Sequence, residues 1–123
     1  MMHDNEHAEK GLMASLLDQV ESIRKHFFPD WDTERQWSVV VKDDPAEVDP
    51  CVPERKELQV PKLEQPEHLT AYIVHAVCLA QTENNSYDDD WANLMEQVAT
   101  QAEKDDWQVL ARMIREEMKQ RTG

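Results

Sequence analysis

Four side chains carry the types and spacings that invite chemistry: Cys51, His68, His75 and Cys78. Within residues 67–81, EHLTAYIVHAVCLAQ, His68 and His75 stand seven apart and share one helical face. His75 and Cys78 stand three apart and are surface neighbours on a helix. Cys51 lies in the segment that leads to this stretch. Together the four could surround a zinc ion. Their spacing matches no short zinc pattern, and neither C-x-x-C nor H-E-x-x-H occurs. Cys78 beside His75 also suggests a thiol nucleophile, which needs an exposed sulfur with a lowered pKa. The apolar residues around Cys78 predict burial instead, where a free cysteine packs as a small hydrophobe. A zinc-dependent or thiol enzyme centred on residues 67–82 is therefore an alternative to a non-enzymatic reading, and no cofactor is expected.

Neighbouring carboxylates recur at Asp43–Asp44, Asp88–Asp89–Asp90 and Asp105–Asp106. General acid–base work needs two acids facing each other in a cleft, one with a raised pKa. Acids clustered before apolar runs read more simply as helix caps and solvated ends. The calcium-loop pattern is absent, as is the G-x-S-x-G elbow. Gly11 and Gly123 are the only glycines, which excludes a glycine-rich phosphate loop.

Charge is the strongest global signal. The 123 residues hold 26 acids and 13 bases, a net −13. Residues 43–110 carry 16 of the acids against Arg55, Lys56, Lys62 and Lys104. Residues 111–123 reverse the sign, with Arg112, Arg115, Lys119 and Arg121 against Glu116 and Glu117. Such a field repels nucleic acid and anionic membranes and attracts basic surfaces. It also favours solubility. DNA presents one charge per about 1.7 Å of axis. Glu83, Asp88, Asp89, Asp90, Glu96, Glu103, Asp105 and Asp106 are the residues that would imitate it, if they form one acidic stripe.

The elements that must position these groups are helical. Residues 67–82 form the central helix, because Leu69, Ile73, Ala76 and Ala80 make one stripe while Val74, Val77 and Leu79 carry apolar surface round the other side. A helix apolar nearly all round needs neighbours nearly all round. It is too short to span a bilayer, which takes roughly 20 apolar residues. A first helix is predicted over about 8–28, with Met13, Leu16, Leu17, Val20, Ile23 and Phe27 facing the core and Glu21 paired with Lys25. Residues 1–7 read as a loose tail. Residues 37–41, WSVVV, read as a strand.

Five of the six prolines fall in 43–66, which predicts an extended arm. Within it, residues 57–60 are expected to pair antiparallel with 37–41 as a two-stranded ribbon. A third helix over about 88–103 buries Trp91, Leu94, Met95, Val98 and Ala102, capped by Asn85 or Ser86. The apolar stripe then changes phase. This predicts a break at Asp105, with Asp105 capping a fourth helix over about 106–120 that buries Trp107, Leu110, Ala111, Ile114 and Met118.

The expected fold is mainly α: one four-helix domain over 1–123, with a short two-stranded β ribbon or extended proline-rich arm between the first two helices. The opening residues do not read as an apolar leader, so a reducing cytoplasm and free thiols are expected. The expected function is non-enzymatic: an inhibitor or adaptor that binds a basic protein surface, steered by its acids and anchored by an exposed aromatic. Trp31, between charged residues beyond a helix end, is the expected anchor. A homodimer that buries surplus apolar surface is a further alternative.

Overall fold

The computed structural model describes residues 17–62, 66–82 and 86–122. The tail 1–7, the first half of the predicted first helix with Met13 and Leu16, and Asn85 and Glu83 lie outside the described residues. Helix α1 covers 17–27 and is followed by strand β1 (Ser38–Lys42). Two short strands follow, β2 (Cys51–Val52) and β3 (Glu57–Pro61), each preceded by a single 3₁₀ turn. Three helices complete the chain: α2 (Pro66–Ala80), α3 (Asp89–Lys104) and α4 (Gln108–Thr122). Four helices with a small sheet between the first two is the architecture that the periodicities predict.

Helix α2 is the centre. Every residue from Ala71 to Leu79 is buried, and the helix contacts α3, α4, β2 and β3. Its all-round apolar surface is thereby covered. The core gathers Ile23 and Phe28 from the α1 region, Leu58 and Val60 from β3, Trp91, Met95 and Val98 from α3, and Leu110 and Ile114 from α4. Leu17 departs from the predicted α1 stripe and is 52% exposed. The predicted Glu21–Lys25 pair is replaced. Glu21 instead accepts from Arg24 at 2.7 Å and Arg35 at 2.5 Å, and the Arg24 hydrogen bond holds its carboxyl below the usual range.

The sheet corrects the expected ribbon. It has three strands in the order β1-β3-β2. β1 runs parallel to β3, with Ser38 opposite Glu57 and Lys42 opposite Pro61. The antiparallel partner of β3 is β2, with Cys51 opposite Leu58 and Val52 opposite Glu57. The reason is that the arm reverses the chain twice. It turns once between β1 and β2, and again at Pro53–Arg55, where Lys56 closes the turn at φ 49° and its N–H bonds to Pro53 O. Two reversals bring β3 back in the direction of β1, between the other two strands. Lys56 O then accepts from Ser38 N and sets the start of β1.

The helix boundaries fall near the predicted positions, with different caps. Asp88, rather than Asn85 or Ser86, is the N-cap of α3, and its carboxylate accepts from Trp91 N. Asp105 is not the cap of the fourth helix. It is the C-cap of α3, with its N–H on Gln101 O. Asp106 follows at φ 65°. Its N–H bonds to Glu103 O, and Trp107 N–H bonds to Ala102 O at 2.8 Å. This pair of bonds is the Schellman closure, which satisfies the last carbonyls of α3. Trp107 O then accepts the first bond of α4 from Ala111 N. The predicted break is therefore present, made by a left-handed aspartate rather than by a capping box.

Candidate binding surface

Three places hold chemistry-bearing residues. The first is a buried polar knot where α2, α3 and α4 meet. His75 is 0% exposed. Its Nδ1 lies 2.8 Å from Tyr72 O, which can only accept, so Nδ1 carries the hydrogen. Nε2 is then the acceptor for the Tyr87 hydroxyl at 3.1 Å. Burial pushes His75 down to about 3, and the nearby Arg121 charge acts the same way. The ring is therefore neutral, and the Glu117 carboxylate 3.9 Å from Nδ1 makes no ion pair with it. Glu117, 4% exposed, is matched by Arg121 at 3.2 Å and approached by His68 at 3.6 Å. The Arg121 guanidinium lies 5.8 Å from the Tyr72 ring centre and 5.6 Å from that of Tyr87, within cation–π reach. Trp91 Nε1 closes the knot by donating to His75 O at 3.1 Å.

Burial raises Tyr72 to about 12 and raises Tyr87 as well, so both phenols stay protonated. Glu117 and Arg121 count in the sequence only toward the charge of residues 111–123, although the spacing Leu110, Ile114, Glu117, Arg121 places both on the inward stripe of α4.

The four predicted metal ligands do not assemble. Among the described residues no group of three or more His, Cys, Asp or Glu could hold a metal ion. Cys51 and Cys78 are both buried. Burial raises the Cys51 thiol to about 11, helped by Asp49 and Glu54, and raises Cys78 further. A nucleophilic thiol needs the opposite shift.

The second place is the acidic surface. Asp88 is occupied as a cap. Glu96 and Glu103 both bind Arg115, Glu96 at 3.0 Å. Arg115 therefore stands as a positive charge between two of the proposed mimic residues. Asp89, Asp90 and Asp106 are exposed to solvent, and Glu83 lies outside the described residues.

The third place surrounds the start of α4. Trp31, the expected anchor, is half-buried. Asp32 accepts from Gln36 N at 2.7 Å and Trp37 N at 3.2 Å, and this folds the loop back so that Trp31 rests 5.7 Å from Trp37 and against the core. The exposed tryptophan is Trp107, at 43%, beside Val109 at 48%. Its indole lies 4.7 Å from the His26 ring and 5.9 Å from Phe27. His26 in turn binds Asp105 at 2.5 Å, which with Gln101 holds the Asp105 carboxyl below its usual range. A shallow cleft of about 410 Å³ beside Trp107 is lined by Glu67, Thr70, Asp106, Val109 and Leu110. The result is an aromatic and an aliphatic side chain with carboxylates around them. No family model, curated protein or solved structure matches this chain.

Proposed function

We propose that this chain is a non-enzymatic protein-binding module that occludes a basic surface on another protein. The observation that carries this reading is the exposed Trp107–Val109 pair bordered by Glu67, Asp105 and Asp106. Tryptophan is among the residues enriched at binding hot spots, where a large ring is desolvated inside a polar rim. A net charge of −13 raises the encounter rate with a cationic partner and makes it depend on ionic strength. The raised thiols and the neutral, enclosed His75 favour this reading over a thiol or zinc enzyme.

The test is affinity capture from the native extract with the wild-type chain, Trp107→Ala and the double variant Glu67→Gln/Asp106→Asn. The expected result is one basic protein retained at low salt, released at high salt and lost with Trp107→Ala. Release by added duplex DNA would identify that partner as a nucleic-acid-binding protein and the chain as a nucleic-acid mimic. Identical captured sets for wild type and Trp107→Ala would overturn the reading.

A further inference from the structure

A second cleft of about 450 Å³ opens between the end of α1 and the side of α3 that carries Leu94, Gln97, Val98 and Gln101. Its apolar walls include Phe27 and Trp31, and its rim carries Asp30, Gln81, Gln97 and Gln101. No lysine or arginine lines it. The orientation of two amides decides what it can accept. Gln81 Nε2 is turned back onto Val77 O at 3.4 Å, and Gln101 Nε2 onto the Asp105 carboxylate at 3.1 Å. Both partners can only accept, so each amide nitrogen is the atom turned to its partner, keeping one further hydrogen, and each carbonyl oxygen is left to receive a donor. With the Asp30 carboxylate, the rim is acceptor-rich. The one basic group in the lining, His26, is matched by Asp105 at 2.5 Å.

Aromatic walls beneath a rim of acceptors suit a flat cation that only donates. A guanidinium carries five N–H donors in one plane and stacks on aromatic faces. An ammonium carries three and stacks less well. The cleft volume sits at the small end of the usual range of about 300–1,000 Å³. We infer that this cleft takes an arginine side chain of the basic partner, beside the Trp107 anchor with which it shares His26 and Phe27. The inference rests on the reading of the chain as a binder of basic protein.

The experiment is a ¹⁵N-correlated NMR titration of the whole chain with the capped peptide acetyl-Gly-Arg-Gly-amide. The control is the same peptide with citrulline, which keeps the shape and removes the charge. The expected result is movement of the Gln81, Gln97 and Gln101 side-chain amides and the Trp31 indole with the arginine peptide alone. Asp30→Asn and Gln97→Leu change exposed side chains, so the fold is retained, and each should weaken binding about threefold or more. Trp31→Leu should weaken it by about fivefold or more. Equal shifts with citrulline, or shifts spread evenly over the acidic surface, would overturn the inference. So would partner capture that is lost with Trp107→Ala and unchanged with Asp30→Asn. Arginine-specific shifts in the cleft, with capture indifferent to Trp107, would support the cleft and overturn only the earlier reading.

Discussion

The two ends of α4 are built in opposite senses. At its C-terminal end a carboxylate and a guanidinium, Glu117 and Arg121, turn inward and meet each other. At its N-terminal end a tryptophan and a valine, Trp107 and Val109, turn outward. Burial normally sorts residues the other way. The inner end obeys the condition under which charges tolerate burial, because Glu117 has Arg121 and the Arg121 charge also faces two phenol rings. At the outer end His26 and Phe27 cover part of the Trp107 ring, while Val109 remains 48% exposed. The inner end meets groups of its own chain, while the outer end presents Trp107 and Val109 to solvent, and substitutions at the two ends should separate accordingly.

The largest effect is expected at the inner end. Trp91→Ala removes a fully buried ring and its bond to His75 O and should cost about 3–5 kcal/mol in urea unfolding. A loss below about 1 kcal/mol would mean that the knot does not depend on that ring. Next comes acid. His75 takes its proton near 6.5 when unfolded and at about 3 when folded. The unfolded chain therefore binds the proton first as pH falls. Stability from this group is complete above about pH 6.5 and drains toward pH 3, by about 1.4 kcal/mol per pH unit. Thermal melts across that window check the slope. His75→Gln should flatten it; an unchanged slope would assign the loss to carboxylates such as Asp105 and Glu21, which are held low and titrate further toward acid.

A smaller effect is expected where the knot meets its own helix start. Asp88→Ala deletes the cap on Trp91 N and should cost about 1 kcal/mol of unfolding free energy. The smallest belongs to the outer end. Trp107→Ala should change unfolding by less than about 1 kcal/mol, since the ring is already part-exposed, while partner retention falls at least tenfold in a binding assay. A stability loss as large as that of Trp91→Ala would erase the contrast between the two ends.

Much of this fold was legible from period alone. The α2 stripe wraps round the helix, and the structure buries α2 on all sides. The phase change after Ala102 predicts a break, and the break is there. Such signals are local, carried by side chains three and four apart. Strand pairing is not local: nothing in WSVVV or ELQV says whether the chain between them reverses once or twice. The site was less legible, for a related reason. Trp107 sits on the extrapolated α4 stripe, yet its backbone N–H is claimed by Ala102 O. The turn, rather than the helix period, therefore aims its ring. Glu117 and Arg121 were hidden by their type, since charged residues on an inward stripe make sense only once each partner is known.

The contact between His26 and Asp105 joins positions 79 residues apart. At about 5–20 residues per second, a ribosome needs roughly 4–16 s to add that much chain. Through that interval α1 has neither the α3–α4 turn nor the Trp107 ring against which its C-terminal aromatics rest. The His26 and Phe27 rings thus wait for that part of their cover until α4 begins.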